Sequence, residues 1–462
     1  MTRFDLAVIG GGPGGYVAAI RAAQLGLKVC IIEKEKLGGV CLNWGCIPTK
    51  ALIKNAEVYS LIKHSENYGI KVQNISVDFK KNVKRSRDIA QRLSKGIEFL
   101  MKKNKIKHLN GIGRLKSKNN IEVNNNGKTY IVDADKIIIA TGARPKTFSG
   151  LDFDSENVIS SKDAMLLENP PKDLIIIGSG AIGVEFAYYF NEFGTKVHIL
   201  EMMDRILPNE DQEVSEEVEK NFKKSGIKIT KGVKVSKIQS MKQSAKVFLK
   251  NKTTEEIIKA EKVLLAVGVT GNVNDIGLED LGIETEAGAI KTDNLNRTNI
   301  DNIYAIGDVC GPPWLAHLAS AQGHIAAEHS AGFNVSPIDY SNIPGCTYCQ
   351  PQVGSLGMTE EEALSSGFKI KVGKFSFQAS GKAMAVGDTL GFVKLIFDEK
   401  YGELLGAHIV GSEATEMIAE LGIAKALEAT WDDLSMTIHA HPTLSEAIME
   451  AAMDAQGHSI HQ

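Results

Sequence analysis

The chain has 462 residues, 43% of them apolar, and its 53 Lys and Arg nearly balance 56 Asp and Glu for a net charge of −3. That length divides into several domains of about 100–200 residues each, and so even a balance excludes the basic surface that a nucleic acid or an anionic membrane would require. Six cysteines in such a length cannot staple a small secreted scaffold, so any disulfide is expected to do chemistry rather than hold the fold.

The apolar run at 4–9 begins almost at Met1, which leaves no space before it for a leader or a membrane span and predicts a cytoplasmic protein. This strand runs into Gly10, Gly12, Gly14 and Gly15, a helix-forming stretch over 16–25 follows, and a second strand closes on Glu33. Strand, glycine turn, helix and distal acid form the dinucleotide fingerprint. Gly10 makes the tight turn, Gly12 lets the backbone approach a pyrophosphate, and Gly15 lets the helix pack on the strand. Phosphates face the helix N-terminus, and Glu33 accepts from the adenosine ribose.

The unit recurs. Gly10, Gly12, Gly15, Gly26, Val29 and Glu33 map onto Gly178, Gly180, Gly183, Gly194, Val197 and Glu201 at one constant offset of 168. Each copy ends in an apolar strand and a glycine, 137–142 and 263–268. Two dinucleotides are therefore predicted. Glu201 would repel a 2′-phosphate, so NAD is favoured over NADP in the second copy. Arg205 lies near enough to serve a phosphate, although Asp204 beside it weakens that case.

After the first fingerprint come Gly38-Gly39-Val40-Cys41-Leu42-Asn43-Trp44-Gly45-Cys46-Ile47-Pro48-Thr49-Lys50. On a straight helix five residues span ~7.5 Å, longer than the usual disulfide Cα separation of roughly 4.4–6.8 Å. The segment must bend, and Gly45 eases the bend. Pro48 suits an opening helical turn, and Lys50 lies four residues after Cys46 on the same face. A thiolate at a helix N-terminus near a lysine is reactive. The alternative is that both cysteines are buried apolar filler. Nicotinamide moves hydride whereas a dithiol reacts by thiolate exchange, so a converter is needed, and a flavin is one. FAD is expected in the first unit and NAD in the second.

With these motifs, Tyr304-Ala305-Ile306-Gly307-Asp308 and the 439–446 segment His-Ala-His-Pro-Thr-Leu-Ser-Glu, the chain resembles the pyridine nucleotide-disulfide oxidoreductases over essentially its whole length. The resemblance implies an α/β fold with two Rossmann-like dinucleotide-binding domains, a central domain and a C-terminal α+β dimerisation domain. It divides as FAD binding over 1–149, NAD binding over 150–270, a central part over 271–342 completing the FAD site, and an interface domain over 343–462. It implies a homodimer with shared active sites. Cys41 would exchange with substrate, Cys46 would face the flavin as a thiolate, and Lys50 would sit near the flavin and pair with Glu185. Lys34, Gly39, Val40, Gly113, Thr141, Gly142, Asp308, Leu315, Ala316 and His317 would join the FAD site, and Ile182, Glu185, Val235 and Gly268 the NAD site. His441 of the partner subunit would be the general base, oriented by Glu446.

Thr443-Leu444-Ser445-Glu446 also reads as a capping box, and His439 as a structural histidine. Cys346-Thr347-Tyr348-Cys349 reads as strand, with the cysteines on opposite faces. No second pair stands nearby to complete a zinc shell, so no metal is expected, and Cys30 and Cys310 are expected to be buried bystanders. Within the family, Glu201 and Trp44 point to the branch oxidising dihydrolipoamide with NAD⁺ rather than to NADPH-dependent glutathione reductases. Residues 457–462 lack the extra cysteines of mercuric and large thioredoxin reductases. The partners implied are a lipoyl-bearing acyltransferase of a 2-oxo acid dehydrogenase complex, or the H protein of glycine cleavage. A scaffold or flavin-binding subunit would not need the cysteine pair, the lysine and the base together.

Overall fold

The computed structural model describes residues 3–250 and 255–461. Its first sheet uses β1 (Arg3–Ile9), then α1 (Pro13–Gln24), β2 (Val29–Glu33), α2 (Gly39–Trp44), α3 (Cys46–Lys63), α4 (Phe79–Lys103), β3 (Lys107–Asn110), β4 (Ile112–Leu115), β5 (Asn120–Asn125) and β6 (Lys128–Ile139). The order is β3-β2-β1-β6-β5-β4, and the strand Ile303–Ala305 pairs with β6 from far along the chain. Pairing from β3 to β6 is parallel, while β4, β5 and β6 form an antiparallel meander.

β1 is apolar without a break from Leu6 to Ile9 because both faces are covered there. Leu6 and Val8 pack with Ala18, Ala22, Ala326 and Ala327 on the helical side, and Ala7 and Ile9 pack with Val123, Ile283 and Ile290 on the other. The helix Ala316–Ser330 lies so close to α1 that a Cβ on Gly14 would stand 2.9 Å from the Ala319 carbonyl, and one on Gly323 2.5 Å from the Gly14 carbonyl. Small residues on both helices are thus a packing requirement as well as part of the glycine turn.

A second, wholly parallel sheet holds Lys228–Thr230, Lys196–Leu200, Asp173–Ile177, Lys262–Leu265 and Val158–Ile159 in that order. The helix Ala181–Glu192 crosses between its central strands, and the antiparallel strands Lys234–Met241, Ser244–Lys250 and Glu255–Ala260 pack against it. The C-terminal part is a five-stranded antiparallel sheet ordered Gly345–Thr347, Gln352–Gly357, Leu404–Gly411, Gly391–Asp398 and Ile370–Ser376, backed by the helices Ala414–Ala426 and Glu446–Ala455. Among the described residues no helix is long and apolar enough to cross a membrane.

Candidate active site

The fingerprint glycines answer to measurable contacts. Gly10 and Gly178 hold φ of +108° and +98°, the left-handed region that glycine enters without penalty. A Cβ on Gly15 would stand 1.9 Å from the Gly10 carbonyl, and one on Gly183 2.1 Å from the Gly178 carbonyl. The third glycine is therefore fixed by helix-on-strand packing. The middle ones differ, since a Cβ on Gly12 would meet only Gly39 Cα, at 3.9 Å, and one on Gly180 nothing within 4 Å. Among the described residues no atom requires glycine there, which fits a turn kept bare for a dinucleotide's phosphates at both sites.

The two acids accept the same pair of backbone N–H bonds, and Glu201 gains a hydroxyl besides. Glu33 accepts from the Gly11 N–H at 2.7 Å and the Glu35 N–H at 2.8 Å. Glu201 accepts from the Ser179 N–H at 2.8 Å, the Ser179 hydroxyl at 2.6 Å and the Met203 N–H at 2.8 Å. Each carboxylate thus organises its own turn, beyond anything it offers a ribose. Arg205 pairs elsewhere, its guanidinium donating to both oxygens of Glu361 at 3.0 and 2.8 Å.

At the cysteine segment α2 stops at Trp44, and Gly45, at φ −146° and ψ −116°, breaks the chain before α3 starts on Cys46. This is the bend that the spacing required. Gly39, at φ +57°, would put a Cβ 2.6 Å from Gly12 Cα, so α2 abuts the first fingerprint. Cys41 and Cys46 are thiols hydrogen-bonded to each other. That bond, with the Lys50 charge, draws Cys46 down to about 7 against the opposing effect of burial, whereas Cys41 is pushed upward by the same bond and by burial. The N-terminus of α3 adds to the stabilisation of the Cys46 thiolate.

Lys50 donates to both oxygens of Glu185, on the Ala181–Glu192 helix, at 2.8 and 2.9 Å. Glu185 is buried and also accepts from the Tyr348 N–H at 3.1 Å, while the Lys50 ammonium sits 4.4 Å from the centre of the Tyr348 ring. Tyr348 was not among the residues singled out from sequence, and only its place between Cys346 and Cys349 hinted at it. Tyr16, beside Cys41, was likewise passed over, although it directly follows the fingerprint.

Asp308 lies in the turn Gly307–Cys310, its carboxyl pushed up by burial and its charge felt at Cys41. Leu315, Ala316 and His317 open the Ala316–Ser330 helix, and burial lowers the His317 imidazole. The Thr141 hydroxyl donates to the Asn272 carbonyl at 3.0 Å, and the Asn272 side chain returns a bond to the Thr141 carbonyl at 2.8 Å. Asn272, unsuspected from sequence, thereby ties Thr141 and Gly142, just beyond β6, to the end of the strand Val269–Gly271. A Cβ on Gly113 would stand 3.1 Å from Ile9, 3.4 Å from Ile32 and 3.5 Å from Ile121, so its missing side chain answers to the core of the first sheet. Lys34 and Val40 are exposed, and so is Ile182 within the second fingerprint, in the first turn of the Ala181–Glu192 helix. Gly268 is open on its Cα, and Val235 is half-buried on the strand next to the Glu201 turn.

His441 Nδ1 lies 2.9 Å from Glu446, and the imidazole is 79% exposed. The capping box at 443–446 is not formed. The Thr443 hydroxyl donates instead to the Ala440 carbonyl, and the helix begins at Glu446 with Ser445 before it. The other half of that motif survives, because Glu446 accepts from the Thr443 N–H at 2.8 Å. Burial would raise the Glu446 carboxyl, but this bond and His441 hold it below its ordinary value. His439 is buried on Glu420 at 2.6 Å.

The strand carrying Cys346 ends at Thr347, so Cys349 lies beyond it in a bend rather than on its opposite face; Pro351 cannot extend the ladder. The Cys346 thiol contacts the Thr415 carbonyl and that of Cys349 the Pro351 carbonyl. Cys30 is buried, Cys310 half-buried, and burial pushes both up to about 12.

Residues 4–323 match the model of the pyridine nucleotide-disulphide oxidoreductases, and residues 343–452 match that family's dimerisation domain. Dihydrolipoyl dehydrogenase of Chlorobaculum tepidum is 46% identical over 456 residues, covering 98% of this chain and 97% of its own. That of Bacillus subtilis is 43% identical, covering 100% and 99%. Among solved structures, LpdA of Mycobacterium tuberculosis superposes with a TM-score of 0.91 at 25% identity, covering 98% of this chain and 99% of its own. A flavoprotein disulfide reductase of Escherichia coli, RclA, gives 0.86 at 27% identity over 97% and 99%. On this evidence the chain belongs to the pyridine nucleotide-disulphide oxidoreductase family.

Proposed function

We propose that two copies of this chain oxidise dihydrolipoamide to lipoamide and reduce NAD⁺ to NADH, with FAD in the first nucleotide cleft and NAD in the second. The observation that carries this reading is the placing of the cysteine pair: Cys46 opens the helix Cys46–Lys63, with Lys50 one turn along it and fixed on Glu185 at 2.8 Å, whereas Cys41 lies in the short helix before the Gly45 break. The helix N-terminus and the Lys50 charge both favour a thiolate at Cys46. In the oxidised pair Cys46 is therefore the better leaving group. His441 of the partner subunit, held by Glu446, takes the proton from a substrate thiol, whose own pKa of about 8.5 leaves it mostly protonated at neutral pH. The resulting thiolate attacks Cys41, forming a mixed disulfide and releasing Cys46 as a thiolate. The second substrate thiol then displaces Cys41, and lipoamide leaves with both protein sulfurs reduced. Bound FAD would supply the one group able to take electrons from a dithiol and return them as hydride to nicotinamide.

Gly10, Gly12, Gly14, Gly15, Glu33 and Asp308 would hold FAD. Lys50, fixed on Glu185, keeps a positive charge beside Cys46. Gly178, Gly180, Gly183 and Glu201 would hold NAD. Two features support NAD over NADP: the Glu201 charge, and the commitment of Arg205 to Glu361. On this reading the substrate arrives in the cytoplasm on a lipoyl-lysine arm, carried by an acyltransferase of a 2-oxo acid dehydrogenase complex or by the H protein of glycine cleavage. Steady-state turnover of the purified protein tests it. Dihydrolipoamide with NAD⁺ is expected to be used far faster than glutathione disulfide with NADPH, and the reverse preference overturns the reading.

A further inference from the structure

Lys394 sits in the middle of the C-terminal sheet, on the strand Gly391–Asp398, and is 1% exposed. Its Nζ lies 3.0 Å from Asp211, 2.9 Å from Glu213 and 2.6 Å from Glu360. A buried ammonium is retained only when its partners replace water. Burial here works to lower the Lys394 pKa, and its bonds to Glu360 and Glu213 with the Asp211 charge more than reverse that. Asp211 and Glu213 belong to the opposite side of this contact. They open the helix Gln212–Lys224 of the nucleotide-binding unit around Glu201, where Asp211 is the N-cap and accepts from the Glu213 N–H at 3.1 Å.

From that cap, hydrogen bonds lead back to the second fingerprint. The Glu210 N–H and the Ser215 hydroxyl donate to the Leu207 carbonyl at 2.9 and 3.2 Å, and the Leu207 N–H donates to the Ser179 carbonyl at 3.1 Å. Ser179 in turn holds Glu201 through its N–H and its hydroxyl. Leu207 keeps a φ of +45°, a conformation that a non-glycine residue holds only when its surroundings insist on it. A second strap runs alongside, from Arg205 to Glu361.

We propose that Lys394 is a positioning residue for the nicotinamide half of the reaction, anchoring the 205–213 segment to the C-terminal sheet so that Ser179 and Glu201 are held ready for the ribose. This rests on the reading that NAD occupies the second cleft. The anchor joins the part matched to a dimerisation domain to the nucleotide turn and involves no residue of the thiol centre.

The test is steady-state kinetics of the FAD-loaded dimer with both substrates varied, for the wild type and for Glu201→Ala, Lys394→Met, Lys394→Arg and Glu361→Gln. Lys394→Met is expected to raise KM for NAD⁺ roughly tenfold, in the range of ordinary coupling energies. KM for dihydrolipoamide and the flavin spectrum should stay unchanged, and Lys394→Arg should restore most of the loss. Equal rises in both KM values, or an unchanged KM for NAD⁺, overturn the proposal. Should Lys394→Met fail to assemble, Glu361→Gln decides: a rise in KM for NAD⁺ of about two- to threefold supports the anchor, and no change overturns it. A wild type that does not use NAD⁺, or a Glu201→Ala variant with unaltered KM for it, would instead remove the reading of the second cleft.

Discussion

The Lys50 ammonium and the Glu185 carboxylate meet at 2.8 Å across the junction of the two nucleotide-binding units, one from the helix begun by Cys46 and the other from the helix begun by the second fingerprint. Glu185 is the more deeply buried partner, with 6% of its side chain exposed against 29% for Lys50. Removal of the lysine strands a buried carboxylate, whereas removal of the acid leaves an ammonium that can turn to water. Lys50→Met is therefore expected to lower stability by about 2–4 kcal/mol and Glu185→Gln by about 1 kcal/mol. Urea denaturation of the two variants measures the difference, and equal losses would contradict the account.

In the reduced protein the Cys46 thiol ionises near 7, below its ordinary 9.0, and the first cause is its hydrogen bond from Cys41. A lowered pKa means that the thiolate prevails above that value and is lost as pH falls through it. Alkylation rate against pH should give a midpoint near 7 for Cys46. Cys41→Ala should move that midpoint upward, since the bond goes while Lys50 remains. An unmoved midpoint would assign the effect to the helix and Lys50 alone.

Gly180 and Gly183 separate binding from folding. A Cβ at Gly180 meets no atom within 4 Å, whereas at Gly183 it would stand 2.1 Å from the Gly178 carbonyl. Gly180→Ala is expected to leave Tm unchanged and raise KM for NAD⁺ by about tenfold or more, because the methyl group occupies the phosphate approach. Gly183→Ala should cost several kcal/mol, about 3 or more, by forcing helix from strand. Thermal melts and KM values for the two variants check both expectations.

His441 and Glu446 divide in a similar way. With its ring largely in solvent, His441→Gln should lose about 10²–10⁴ in kcat while keeping its Tm. Glu446→Ala also forfeits the bond from the Thr443 N–H, and should lose activity together with about 1 kcal/mol of stability.

What the sequence made legible was whatever depends on local geometry. The strand-turn-helix units were readable because Gly10 must hold a φ of +108° and a Cβ on Gly15 would strike the Gly10 carbonyl, both within one short segment, and the offset of 168 repeats that pattern. The bend at Gly45 followed from the reach of a disulfide against the rise of a helix. Contacts set by tertiary packing were not readable in the same way. The Tyr348 N–H reaches Glu185 across 163 residues and Lys394 reaches Asp211 across 183, and no periodicity announces either. The box at 443–446 failed for a local reason, since the Thr443 hydroxyl found the Ala440 carbonyl before the helix began. Cys349 departed from the strand pattern because the strand stops short of Pro351.

If electrons pass from the substrate's sulfurs through Cys41 and Cys46 to a flavin held by the first fingerprint, the visible spectrum of the purified protein, taken anaerobically before and after one equivalent of dihydrolipoamide, will register it. The protein is expected to be yellow and to gain a long-wavelength thiolate-to-flavin band on reduction. Cys41→Ser should show that band without reductant, and Cys46→Ser should never show it. A colourless protein, or a band that survives the loss of Cys46, would contradict that electron path.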